Sequence, residues 1–228
     1  MSRRVAGAVA TSMQNGRFPL VLGGDHSLSI GSVRGAAKYK KIGVIWLDAH
    51  GDFNTHLTTP SGNIHGMSLA ALCGLGDPRL TALYDEPVPV IDPGKVAIIG
   101  ARDLDLGEKD NLRSAGALVL SMEQVDRIGM VAALEQCIEQ VSRDVDGIYL
   151  SMDLDALDPR FAPGVGTPVP GGLTYREGHL ACEVVAETGK LIGMDVVEVN
   201  PILDEKNQTA KIAVDFACSA LGSRVWQG

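Results

Sequence analysis

Five short apolar runs in this chain each give way, within a few residues, to acids or histidines. Phe18–Leu22 leads into Gly23-Gly24-Asp25-His26-Ser27, and Val44-Ile45-Trp46-Leu47 into Asp48-Ala49-His50-Gly51-Asp52. Val96–Ile99 leads into Gly100-Ala101-Arg102-Asp103-Leu104-Asp105, and Ile148–Leu150 into Ser151-Met152-Asp153-Leu154-Asp155. Met194–Val197 ends at Glu198-Val199-Asn200-Pro201. Runs that are apolar throughout, rather than alternating, suit strands buried on both faces, as in a parallel sheet covered by helices. Helical patterns at Val5–Asn15, Ile30–Lys40, Ser68–Cys73, Met130–Val141, Arg176–Glu187 and Thr209–Leu221 lie between them. The expected fold is α/β: a three-layer α/β/α arrangement with a mostly parallel central sheet, collecting its polar groups at the carboxyl edge of the strands. One polar strand end is an ordinary turn, whereas five at one edge mark a site.

The 228 residues, 45% of them hydrophobic, suit one domain spanning 1–228 with its own core. A net charge of −8 without any basic cluster argues against a nucleic-acid partner. The apolar runs are strand-sized, too short to span a membrane. Four widely spaced cysteines with no Cys-x-x-Cys pair read as small buried thiols in a reducing, cytoplasmic setting. The start, Met1-Ser2-Arg3-Arg4 followed by a short Ala/Gly-rich stretch, runs into a helix without a clear cleavage site, so no signal peptide is expected.

If the chain stays extended past Leu47, the period of two puts Asp48, His50 and Asp52 on one side. Asp153 and Asp155 have the same spacing. Together with His26 these make four carboxylates and two imidazoles, a set that repels itself unless protons or cations neutralise it. Oxygen-rich donors with imidazole favour Mn²⁺ or a similar ion. Two such ions roughly 3.5–4 Å apart deprotonate a shared water, which points to metal-assisted hydrolysis.

Gly23-Gly24-Asp25-His26-Ser27, Asp48-Ala49-His50-Gly51-Asp52 and Ser151-Met152-Asp153-Leu154-Asp155-Ala156-Leu157-Asp158-Pro159 resemble the three signatures of the ureohydrolase superfamily. Within it, Asn54 and the loop Thr58-Thr59-Pro60-Ser61-Gly62-Asn63-Ile64-His65-Gly66 resemble the arginases, as does Gly166–Gly178. The resemblance implies a hydrolase with two Mn²⁺ per subunit that converts L-arginine and water to L-ornithine and urea. His26, Asp48, Asp52 and Asp153 would hold one ion and Asp48, His50, Asp153 and Asp155 the other, so that Asp48 and Asp153 bridge. A hydroxide between the ions would attack the guanidinium carbon. Glu198 would orient the guanidinium, Asp52 would pass a proton to the leaving amine, and His65 would handle protons. Asn54, Ser61 and Asn63 would meet the substrate carboxylate and Asp105 its ammonium, with Thr167 at the guanidino end and His50 also among the substrate contacts. The resemblance further implies a homo-oligomer, trimer or hexamer. Agmatinases and guanidinobutyrases share the metals but fit the Ser61–His65 loop less well. Relative to the family, the segment before Gly23 is short, which predicts a missing strand next to the centre of the sheet and an exposed edge. That shortening also admits an inactive, arginase-derived binding protein. His56 is expected to face solvent and His179 to be structural.

Overall fold

The computed structural model describes residues 1–83 and 88–226. Its elements in chain order are α1 (Ser2–Gln14), β1 (Leu20–Leu22), α2 (Ser29–Ala37), β2 (Ile42–Leu47), α3 (Ser68–Leu72), α4 (Pro78–Thr81), β3 (Val96–Ala101) and α5 (Leu106–Ala115). There follow β4 (Leu118–Ser121), α6 (Met122–Ile128), α7 (Met130–Val141), β5 (Gly147–Asp153), α8 (Tyr175–Glu187), β6 (Leu191–Val197) and α9 (Gln208–Ala220).

The strands form one sheet in the order β1-β6-β5-β2-β3-β4, and every pairing among the described residues is parallel. In β2, β3 and β5 no residue is exposed, as the unbroken apolar runs require. Their side chains still alternate between two cores. Ile45, Leu47, Ile99, Leu150 and Met152 pack with residues of α6 to α9, whereas Val44, Trp46, Ile98 and Tyr149 face α1, α2 and α3. Each buried aliphatic chain contributes about 1.5–3 kcal/mol relative to exposure, so these two interiors hold the central strands rigidly in register.

The strand expected to be missing next to the centre leaves no break among the described strands, which pair continuously, and the expected exposed edge is at β1. At the β1 edge Leu20 and Leu22 are exposed, 37% and 64%. One expectation changes: three cysteines are buried, but Cys218, on α9, is exposed. Helix α9 buries one stripe and leaves Cys218 on the opposite face.

The central order places the carboxyl ends of β6, β5, β2 and β3 side by side. Gly100, at the end of β3, has φ +101°, and a side chain there would press on the Asp48 carbonyl oxygen at 3.1 Å. A residue with no Cβ lets β3 close against the turn that carries the ligands.

Candidate metal centre

Strand β2 stops at Leu47, and the next residues are not extended as the period-two expectation assumed. Asp48 turns back on itself: its Oδ1 accepts the His50 N–H at 2.7 Å, and its Oδ2 accepts the Trp46 indole N–H at 2.9 Å. Asp52 lies in the left-handed region, φ 50°, an uncommon conformation for a residue with a side chain. The turn therefore sends its three ligands to two places. His26, Asp48 and Asp52 make one group and Asp48, His50 and Asp155 a second, with the ligand atoms of each within 4.8 Å of one another. Asp48 belongs to both, as a bridge must.

His26 Nδ1 lies 3.2 Å from Asp48 Oδ2, 3.1 Å from Asp52 Oδ2 and 2.9 Å from Asp153 Oδ2. His50 Nδ1 lies 3.3 Å from Asp48 Oδ1 and 3.1 Å from Asp155 Oδ2. Asp153 ends β5, and its Oδ1 accepts the Asp155 N–H at 2.7 Å, which holds the two acids at adjacent stations. All six expected ligands are thus brought together.

Beside them lies a cavity of about 190 Å³ lined by His50, Asp52, Asn54, Ser61, Asn63, His65, Asp105 and Thr167. Thr167 Oγ1 donates to Asp155 Oδ2 at 3.1 Å, which ties the cavity wall to the second ligand group. Glu198 does not line it. Its Oε1 accepts the His26 N–H at 2.6 Å, and its backbone is left-handed, φ 61°. Its Oε2 faces Gly166, the neighbour of Thr167. Asn54 Nδ2 donates to Asp105 Oδ2 at 2.8 Å, and Asn54 Oδ1 accepts from Thr58 Oγ1 at 2.9 Å. One N–H of the carboxamide thus sets Asp105, and the amide has a second to give.

Thr59, Asp103 and Glu108 also line the cavity and were not singled out by the sequence. Glu108 is buried, accepting the Phe53 N–H at 2.8 Å and the Asp105 N–H at 3.2 Å. The signal for it was present as the capping-box spacing Asp105-x-x-Glu108 at the start of α5. His56 is exposed, and His179 is held by Ser219 at 2.8 Å and by edge contacts with Tyr175 and Phe216, as expected.

The model of the Arginase family matches residues 1–222. The chain belongs to the arginase family. It is 53% identical to an arginase of Bacillus caldovelox over 225 residues, 98% of this chain and 75% of that relative. The structure of the native Bacillus caldovelox arginase at pH 5.6 superposes with a TM-score of 0.96 at 52% identity, over 99% of this chain and 75% of that one. An Entamoeba histolytica arginase in complex with L-ornithine superposes at 0.89 and 33% identity, over 97% of this chain and 75% of that one.

The electrostatics of this arginase-family site fit bound cations. Burial alone would drive protons off His26, but the carboxylates of Asp153, Asp48 and Asp52 outweigh it and raise its pKa well above the ordinary value. His50 is likewise pushed up to about 12, because Asp155 and Asp48 overcome its burial. Burial raises Asp48, but His26 and His50 reverse this and hold it well below the usual carboxylate range. Burial and the Asp48 charge push Asp52 up to about 7. Burial, Asp155 and Asp48 push Asp153 well up, and burial and Asp48 raise Asp155. The cluster needs positive charge and draws it from protons when no metal supplies it. His26 Nδ1 and Asp52 Oδ2 are buried with no hydrogen-bond partner despite their proximity. Atoms crowded together without hydrogen-bond alignment are arranged as ligands around a common centre.

Metal binding must therefore displace protons. The raised groups hold protons at low pH and compete there, so affinity for a divalent ion falls as pH drops. The affinity is therefore expected to fall from about pH 8 to about pH 6. Chelator-competition titrations across that range measure it, and a flat profile would contradict this account of the site.

Proposed function

We propose that this arginase-family chain, read as one catalytic domain, hydrolyses L-arginine to L-ornithine and urea with two Mn²⁺ per subunit. The observation that carries the reading is the junction of the two ligand groups with one polar cavity, lined by the Asn54–His65 loop and Asp105. His26, Asp48, Asp52 and Asp153 would hold one ion and Asp48, His50, Asp153 and Asp155 the other. When bound, the two cations supply a hydroxide near neutral pH.

The chain's own groups do the rest. Asp105, held by Asn54, presents a carboxylate to the substrate ammonium. Ser61 and Asn63, at the exposed mouth of the cavity, and the second N–H of Asn54 would donate to the carboxylate. Glu198 sits behind His26 with one oxygen fixed and the other toward Gly166, where a guanidinium N–H can donate to it. Thr167 and His50 line the wall between these ends. As the carbon–nitrogen bond breaks, the departing δ-amine needs a proton. Asp52, which lines the cavity beside that nitrogen's expected place, is the carboxylate that would pass it. His65 lines the same cavity and is partly open to solvent, which suits proton exchange with bulk water.

Assembly as a homo-oligomer, trimer or hexamer, is part of the same reading, supported by the family resemblance. A cytoplasmic location is supported by the three buried free thiols. No helix among the described residues is long and apolar enough to cross a membrane.

A substrate panel tests the function. Agmatine lacks the carboxylate, and guanidinobutyrate lacks the α-amino group and is one carbon shorter. Each therefore forfeits at least one charge-assisted anchor at the cavity mouth, and kcat/KM is expected to fall by about 10- to 100-fold against arginine, the worth of a hydrogen bond to a charged group. Equal or faster urea release from either analogue would identify a different ureohydrolase.

A further inference from the structure

Behind His26, on the side away from the cations' place, lies a chain of buried hydroxyls that ends on a carboxylate. His26 Nε2 is 2.9 Å from Ser151 Oγ, and Ser151 Oγ donates to Asp195 Oδ1 at 2.6 Å. Ser151 on β5 and Asp195 on β6 are direct register partners, so the sheet itself sets them side by side. The other carboxylate oxygen, Asp195 Oδ2, accepts from Ser29 Oγ at 3.0 Å and from Ser32 Oγ, both on α2. His26, Ser29, Ser32, Ser151 and Asp195 are all at most 1% exposed. The imidazole is also stacked on Trp46, with ring centroids 4.1 Å apart and planes 8° from parallel.

A serine hydroxyl has one hydrogen to give, and a carboxylate only accepts. Ser151 gives its hydrogen to Asp195, at the short distance of a charge-assisted bond. Its oxygen is then an acceptor toward His26, so Nε2 must carry a hydrogen. In the neutral ring the lone pair is then left on Nδ1, the atom that faces Asp48, Asp52 and Asp153. With the hydroxyl reversed, Nε2 would be the acceptor and the Nδ1–H would point at the cation's position. Water cannot substitute for any member, because the chain is sealed. Ser29 and Ser32 keep the carboxylate from rotating away.

We propose that Asp195, acting through Ser151, is a positioning residue that fixes the tautomer of His26 and thereby sets how tightly the His26 ligand group holds its cation. The proposal rests on the two-metal reading above. Outer partners of metal-bound histidines typically change metal affinity by about 10- to 100-fold, and an effect of that size is expected here.

Mn²⁺ binding to the metal-free protein, read by competition with a fluorescent chelator, tests it without reference to turnover. Ser151→Ala and Asp195→Asn are each expected to loosen one of the two ions by about 10- to 100-fold and to leave the other unchanged. Because the carboxylate works through the serine, the double variant is expected to bind no more weakly than Ser151→Ala alone. Ser151→Thr, which keeps the hydroxyl, is expected to bind as the unsubstituted protein does. Unchanged affinity, equal loosening of both ions or additive losses in the double variant would overturn the proposal. If Asp195→Asn does not fold, the Ser151→Ala and Ser151→Thr pair decides, and equal affinities for the two would be fatal to it. An unsubstituted protein that binds no pair of ions would instead overturn the two-metal reading itself.

Discussion

Asp48→Ala is expected to reduce urea release from arginine by more than about 10³-fold, with loss of both metals from the purified protein. Asp48 is shared by the two ligand groups, with one oxygen toward His26 and the other toward His50. Its removal takes a ligand and a full negative charge from both positions at once. Two-metal centres lower the pKa of water from 15.7 to about 7, so a site without its ions has almost no nucleophile at neutral pH. The fold is expected to survive, because Asp48 lies past the end of β2 and the cores on either face do not include it. Metal counting and a urea assay on the same sample check this, with circular dichroism as the control for folding. Normal turnover in a folded Asp48→Ala protein would exclude the shared-carboxylate site.

His65→Asn is expected to lower kcat by about 10²-fold or more, the range for removing a general acid or base, while both metals stay bound. His65 lines the cavity but belongs to neither ligand group. Asparagine keeps the size and a donor but cannot exchange a proton near neutral pH. The two substitutions thus separate holding the metals from moving protons beside them. A wild-type kcat for His65→Asn would remove the assigned role, and loss of metal from it would place His65 in the ligand set instead.

Much of this was readable in the chain because burial on both faces leaves a strong trace. The bounds of α7 coincide with the helical period, and β2 and β6 end where their apolar runs end. Helices α5 and α6 were missed because they are surface helices set by capping boxes rather than by an apolar stripe. Helix α5 buries only Glu108 and Leu112. Predicted from Phe18, β1 starts at Leu20, since an edge strand is paired on one side only.

The six ligands were legible because they cluster at strand ends, but the reason first given for their convergence was not the physical one. The turn after β2 is built by self-bonding of Asp48 and a left-handed Asp52, which spacing does not reveal. That Asn54 gives one N–H to Asp105 was not legible, because the sequence does not show that the two lie within reach. The Ser151–Asp195 pair was invisible for a similar reason. It depends on the register of two strands 44 positions apart in the chain, a tertiary fact.

The Glu198 carboxylate illustrates how these levels meet. Burial raises its pKa, while the His26 N–H and the nearby His26 and His65 side chains pull it back down. The group proposed to receive a guanidinium is therefore fixed by the same residue that is proposed to hold a metal. Moving either would disturb both, which makes the metal centre and the substrate site one unit.

The central claim is that two cations held around Asp48 make this chain an arginine hydrolase. The most direct test adds Mn²⁺ stepwise to metal-free protein and counts bound metal and urea from L-arginine in the same sample. The account predicts saturation at two ions per chain, with urea release reaching its maximum only as the second ion binds. Two bound ions with no urea, or full urea release with no metal bound, would contradict it.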